Sequence, residues 1–287
     1  MNSKVKVGYL GPQGTFSQEA ARAMFRTEAA EFVPHRTIPE ILANVEQGGL
    51  DFGVVPIENS IEGSVAVTLD VLVHEVAVEI VGEAVLPVTH HLMVREGTRL
   101  EEVRSVLSHP QALAQCRKNL EALLPWAAHT AATSTAEAAQ QVAASDEPLA
   151  ALGTRLAAEI YGLRIVRSNM EDLQANATRF VKVGLRTPPR TGFDKTSIVF
   201  AFGTDKPGNL YRALKVFADR NINLTKLESR PAKRSLGDYI FLIDMEGHRD
   251  DPEIQSALEE LQGQTSFFKL LGSYPRVEYR RPNGNGG

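Results

Sequence analysis

The segment Thr187-Pro188-Pro189-Arg190-Thr191-Gly192 constrains this chain most, because the pattern of secondary structure changes across it. Proline withholds a backbone donor from helix and sheet alike, so such a stretch joins elements rather than continuing one. Before it, strand and helix patterns alternate. Val5–Leu10 alternates and ends at Gly11, and Ser17 reads as the N-cap of a helix running to Phe25. Thr37 and Glu40 have capping-box spacing ahead of Ile41, Leu42 and Val45, Gly48-Gly49 stops that helix, and Asp51–Ile57 is a short strand. This β-α-β order predicts a mostly parallel sheet covered by helices.

A second α/β set follows Glu79–Val94, an apolar, β-branched stretch broken by Gly82 and Pro87. Val103–Ser108 reads as a strand, Ala112–Leu124 as a helix with Pro110 in its first turn, and Ala127–Ala132 as a weak strand. Ser134 and Glu137 open an Ala-rich helix to Ala144, and Leu149–Leu152 and Thr154–Tyr161 add a strand and a helix. The expected fold is α/β: a two-lobed, hinged catalytic unit over 1–186, with crossings near 79–94 and 165–180 and a ligand cleft between the lobes. A linker spans 187–195.

Beyond it, Ser197–Phe202, the stripe Leu210, Leu214 and Phe217, two strands at Ile222–Leu227 and Tyr239–Met245 joined near Gly237, the helix Pro252–Leu261 and the strand Phe267–Leu271 follow in turn. That order, β-α-β-β-α-β over 196–276, is the ferredoxin-like α+β plan, and 277–287 reads as a flexible tail.

At 287 residues the chain is long enough for two or three cores, and a net charge of −4 offers no basic field for nucleic acid. The single cysteine, Cys116, fits a reducing compartment. No apolar run approaches the roughly 20 residues that span a bilayer, and Met1–Lys6 carries no apolar signal core, so a cytoplasmic location without membrane attachment is expected. Seven scattered histidines, with no H-E-x-x-H and no paired C-x-x-C, predict no metal and no cofactor.

Four polar turns and strand ends carry the candidate chemistry. Gly11-Pro12-Gln13-Gly14-Thr15-Phe16-Ser17 is a glycine-rich turn at a helix start, where free amides suit a carboxylate, although for this segment alone a tight turn with an ordinary cap is the better explanation. Pro56-Ile57-Glu58-Asn59-Ser60 and Ser108-His109-Pro110-Gln111 place polar groups at strand ends, where open α/β sheets bind ligands. Asn176-Ala177-Thr178-Arg179-Phe180 puts an amide, a hydroxyl and a permanent cation at the mouth of a buried strand. These polar groups need partners there, since an unpaired one costs a few kcal/mol.

Taken in order, these four segments resemble the successive motifs of the prephenate dehydratases. Ile222-Asn223-Leu224, Glu228-Ser229-Arg230-Pro231 and Leu271-Gly272-Ser273-Tyr274-Pro275 are similar to that family's regulatory ACT domain. The resemblance implies decarboxylating dehydration of prephenate to phenylpyruvate, with L-phenylalanine as end-product inhibitor. By motif match it makes Thr178 and Arg179 catalytic, Thr178 as hydrogen-bond donor to the departing hydroxyl and Arg179 as a bidentate carboxylate clamp. It assigns substrate contacts to Gly14, Thr15, Phe16, Glu58, Asn59, Ser60, Ser108, His109, Gln111, Asn176 and Phe180, with Glu58 and His109 as candidate acids. Effector contacts fall to Gly208, Asn209, Leu210, Asn223, Leu224, Glu228, Ser229 and Arg230, Asn209 standing where many relatives have alanine. The effector site is expected between subunits of a homodimer or homotetramer. Arogenate dehydratase and a non-catalytic small-anion-binding protein are the alternative readings.

Overall fold

A computed structural model describes residues 4–173, 176–204, 206–232 and 239–278; the expected turn near Gly237, and the expected tail apart from Val277 and Glu278, lie outside these. The first lobe is built from β1 (Val5–Leu10), α1 (Phe16–Met24), β2 (Ala30–His35), α2 (Ile38–Glu46), β3 (Phe52–Asn59), β4 (Gly63–Ser64), α3 (Ala66–His74) and β5 (Glu79–Pro87). The chain crosses to the second lobe for β6 (His91–Val94), β7 (Ser105–Ser108), α4 (Pro110–Gln115), α5 (Arg117–Leu123), β8 (Ala128–Ala131), α6 (Thr135–Ala144), β9 (Leu149–Gly153), α7 (Arg155–Tyr161) and β10 (Arg164–Arg167). It returns to the first lobe with β11 (Ala177–Gly184).

The first sheet runs β2-β1-β3-β11-β5, its first three strands parallel and β11 antiparallel to both neighbours. The second runs β10-β6-β9-β7-β8. The sheets therefore meet at two crossings, between β5 and β6 and between β10 and β11.

Local chemistry sets several boundaries differently from the sequence pattern. Thr15, not Ser17, caps α1, because its hydroxyl accepts from the Gln18 amide while Ser17 lies buried inside the first turn. The expected helix 112–124 breaks at Cys116 into α4 and α5. The expected strand from Val103 starts only at Ser105, after a 3-10 turn over Leu100–Glu102. Thr37 and Ser134 cap α2 and α6 as their spacing predicts.

After the proline segment come β12 (Asp194–Ala201), α8 (Asn209–Ala218), β13 (Leu224–Pro231), β14 (Tyr239–Glu246), α9 (Pro252–Gln264) and β15 (Phe267–Pro275), in an antiparallel sheet ordered β13-β14-β12-β15. Its two faces differ. Ile198, Phe200, Ile243 and Met245 pack under α8 and α9. Val199, Ile240, Leu242, Leu271 and Tyr274 instead join one continuous core with Ile80, Val181, Val183 and α3 of the first lobe. The C-terminal sheet thus covers apolar surface that the first lobe could not bury alone.

Gly272 marks how closely they approach. Its φ is +152°, and an added Cβ would lie 2.1 Å from the Ile80 carbonyl oxygen on β5. Gly272→Ala is expected to lower the unfolding free energy by about 1–3 kcal/mol, the usual scale of overpacking. An unchanged urea midpoint would contradict this close seam.

Candidate active site

Strand alternation decides which side chains reach the cleft between the lobes. On β11, Thr178 points into it and Arg179 points the other way; on the paired β3, Asn59 points in and Glu58 out. The cleft has a volume of about 280 Å³ and is lined by Thr15, Phe16, Ser17, Asn59, His90, His109, Gln111, Gln115, Thr133, Ser134, Thr135, Asn176, Thr178 and Phe180, with Leu10, Pro56, Val88 and Ala112.

Its polar groups form one directed network. The Ile61 and Glu62 amides donate to Asn59 Oδ1 at 3.0 and 3.2 Å, which orients the Asn59 amide. Its Nδ2 then donates to Asn176 Oδ1 at 2.9 Å and to Thr178 Oγ1 at 2.8 Å. Asn176 Nδ2 donates onward to Gln115 Oε1 at 3.1 Å. Ser60 ties down the start of β11 by accepting from the Ala177 amide at 2.9 Å. Because Thr178 Oγ1 already accepts from Asn59, its own proton remains to be donated into the cleft. Polarisation by Asn59 strengthens that donation.

The groups in the cleft suited to an anion are backbone amides. The Phe16 and Ser17 amides begin α1, and those of Thr135 and Ala136 begin α6; none has a carbonyl four residues back within its helix. The two helices come from different lobes, and both starts line the cleft, where their dipoles favour negative charge. Among the described residues no lysine or arginine lines it; Arg36 and His35 line an adjoining pocket that shares Leu10, Thr15, Ser17, Thr133 and Ser134 with it.

Among the described residues, the two ionisable side chains lining the cleft are histidines. His109 caps α4, its Nδ1 accepting from the Gln111 amide at 3.3 Å, so in the neutral ring the proton sits on Nε2. Burial lowers the pKa of His90, favouring its neutral form, and its ring meets Phe16 edge-on.

Several expected contacts lie elsewhere. Arg179 is not a cleft residue. Its Nε bonds Glu83 Oε2 of β5 at 2.8 Å, while Nη1 bonds Asp244 Oδ2 at 2.6 Å and Nη2 bonds the Tyr274 hydroxyl at 2.8 Å, both on the C-terminal sheet. Glu58 pairs with Lys226 at 3.1 Å rather than facing the cleft. Ser108 is fully buried and donates to the Leu152 carbonyl, so it secures the sheet. The Gly14 amide is taken by Gln18 Oε1, and an added Cβ on Gly14 would come 2.9 Å from Ala157 Cα, so Gly14 lets α7 pack against this turn. Thr133, Ser134, Thr135, Gln115 and His90 were not singled out from sequence; the Ser134 cap was the available signal.

The expected effector residues divide between the two faces of the C-terminal sheet. Gly208, Asn209 and Leu210 line an open pocket of about 500 Å³ with Phe202, Tyr211, Tyr239 and Phe241. Asn209 bonds the Thr204 carbonyl and accepts from Arg212, which occupies both ends of its amide within the loop. Asn223 and Leu224 do not line it; the Asn223 carbonyl accepts from the Glu246 amide and Leu224 starts β13. On β13, Ser229 faces solvent while Glu228 and Arg230 face the first lobe, where Glu228 meets Ser64 and Arg230 meets Asp70.

The sequence matches the family model described as prephenate dehydratase over residues 7–188 and that of the ACT domain over 196–263. It is 45% identical over 277 residues to a bifunctional chorismate mutase/prephenate dehydratase of Aquifex aeolicus, covering 96% of this chain and 75% of that one. It is 42% identical over 274 residues to a prephenate dehydratase of Methanocaldococcus jannaschii, covering 93% of this chain and 97% of the relative. The solved structure of prephenate dehydratase from Arthrobacter aurescens in complex with L-Phe superposes with a TM-score of 0.86 at 35% identity, covering 97% of this chain and 92% of that one.

Proposed function

Because this chain belongs to the prephenate dehydratase family and carries an ACT domain, we propose that Thr178 and its amide network carry out the family's reaction in the cleft between the lobes. The enzyme converts prephenate to phenylpyruvate and is regulated by phenylalanine through the ACT domain. Prephenate is a dianion that loses its ring carboxylate as carbon dioxide and its C4 hydroxyl as water, and aromatisation of the ring drives the step.

The helix starts of α1 and α6 hold the two carboxylates, one from each lobe, so binding draws the lobes together. Electrons from the breaking carbon–carbon bond enter the ring and expel the C4 oxygen. A threonine hydroxyl is too weak an acid to protonate that oxygen fully. Thr178 instead donates a hydrogen bond that strengthens as charge develops there, stabilising the transition state more than the ground state. The proton that completes water comes from solvent entering the cleft, because the His109 ring, held with Nδ1 as acceptor by its cap to α4, carries no acidic proton in that form. The observation that carries this reading is the Asn59 amide bonded to Thr178 Oγ1 at 2.8 Å, which leaves the hydroxyl proton directed at the ligand.

The reading extends to assembly. Tyr211, Leu227 and Tyr239 are 69%, 46% and 51% exposed around the effector pocket and the free edge of β13. An apolar surface of this kind suits a second subunit, so a homodimer or homotetramer joins here and closes the pocket over phenylalanine. A cytoplasmic location fits the single, buried Cys116.

Assaying the full chain with prephenate and with arogenate, each with and without phenylalanine, tests this. Phenylpyruvate from prephenate, suppressed by phenylalanine, is expected. Faster turnover of arogenate would transfer the assignment to the amino analogue. Binding without product from either would leave only a small-anion-binding protein.

A further inference from the structure

The strands that present the catalytic pair to the cleft present two charged residues to the regulatory sheet. Thr178 and Asn59 are cross-strand partners facing in; Arg179 and Glu58, the next pair, face out. Glu58 pairs with Lys226 of β13 at 3.1 Å and, at the longer distance of 3.7 Å, with Arg179. Across the β3–β4 hairpin, Glu58 pairs in register with Ser64, which contacts both Glu228 and Lys226. Lys226, Glu228 and Arg230 form one ion-paired row on the inner face of β13, with separations of 3.3 and 3.5 Å. The hairpin 58–64 is thus gripped from outside at both ends, while Asn59, inside it, accepts the Ile61 and Glu62 amides and orients Thr178.

We propose that Glu58 is a positioning residue: the inner row of β13 holds the 58–64 hairpin through Lys226–Glu58 and Glu228–Ser64, and by this grip phenylalanine bound on the regulatory domain shifts Asn59 and Thr178. The inference rests on the dehydratase reading above and specifies how regulation reaches that site. β13 is an edge strand, and its outward residues, Leu227 and Ser229, alternate with the inward row. Ordering of its outer side by effector or by a second subunit therefore displaces its inner side. The pairs are short and half-buried to buried; Lys226 is 15% exposed at its side chain and Glu58 37%. They are screened less than surface pairs and can bias a hairpin between two positions. Coupling of this kind changes ligand affinity by about 5–150-fold, equally in both directions.

The test uses the full chain. Wild type, Lys226→Met, Lys226→Arg and Ser64→Ala are compared for turnover and KM with prephenate, for phenylalanine binding by calorimetry, and for inhibition at saturating phenylalanine. The wild type must form phenylpyruvate and be inhibited; if it does not, the dehydratase reading falls and this inference with it. If it does, the variants judge the inference alone. Lys226→Met and Ser64→Ala are expected to keep turnover and phenylalanine affinity within about threefold of wild type while inhibition weakens at least about fivefold. Lys226→Arg restores most of the inhibition, which a merely structural loss would not allow. Unchanged inhibition in both Lys226→Met and Ser64→Ala overturns the proposal. Loss of phenylalanine binding does so too, because it would place these residues in the effector site itself.

Discussion

Replacing Thr178 with alanine is expected to lower turnover of prephenate by about two to three orders of magnitude, the scale of losing one preorganised transition-state hydrogen bond. KM should move little, because the carboxylates are held by the starts of α1 and α6. Folding should survive. Thr178 is 9% exposed and sits at a strand end whose register is fixed by Ser60 and Asn59, neither of which changes. The Asn59 amide keeps Asn176 as an acceptor, so no donor is left buried without a partner. Serine at 178 keeps the hydroxyl and should recover part of the rate. A folded Thr178→Ala protein with near-normal turnover would remove Thr178 from the mechanism.

Arg179→Leu is expected to act on stability instead, by about 3–5 kcal/mol, because it strips the cation from two buried carboxylates. The side chain of Glu83 is 1% exposed and that of Asp244 10% exposed; Lys195 contacts Glu83 directly at 2.9 Å and acts on Asp244 only through its charge at longer range. Urea unfolding measures the loss, and KM for prephenate in the folded fraction should stay near wild type. A carboxylate clamp would show the reverse, a large rise in KM with stability retained.

The pH dependence follows from the same cluster. Burial alone would raise the Asp244 carboxyl, but Arg179, the Ser197 hydroxyl and Lys195 together hold it below its ordinary value of 3.8. A carboxyl depressed in the folded state contributes stability above its unfolded pKa and loses it as pH falls through the folded value. The wild type should therefore lose stability below about pH 4, and Arg179→Leu, whose buried carboxyl takes up its proton readily, should show much less of that acid loss.

Period and capping carried most of the fold. The β-α-β alternation before Pro188 and the β-α-β-β-α-β order after it gave element types and sequence, because apolar periodicity records which face of each element is buried. Boundaries slipped where a local bond outcompeted the pattern, as at Thr15, whose hydroxyl takes the Gln18 amide. The site was legible where a motif residue lies on the inward phase of its strand, as Asn59 and Thr178 do. Arg179 and Glu58 occupy the outward phase, and a period of two could have separated them from their neighbours. What stood outside β11 to receive Arg179 could not be read locally: Asp244 and Tyr274 lie 65 and 95 residues away and arrive only when the C-terminal sheet docks. Thr133–Thr135 escaped notice for a similar reason, since an ordinary cap comes to line a cleft only when its helix start faces another lobe.

The claim that unites these results is that β3 and β11 form a two-sided plate, with catalysis on one face and regulation on the other. The structure of the full chain bound to an unreactive dianion shaped like prephenate tests it most directly. The account predicts the ligand between the starts of α1 and α6, with its C4 substituent on Thr178 Oγ1 and the Arg179 guanidinium still bound to Asp244 and Tyr274. A ligand carboxylate paired with Arg179, swung through to the cleft, would contradict it.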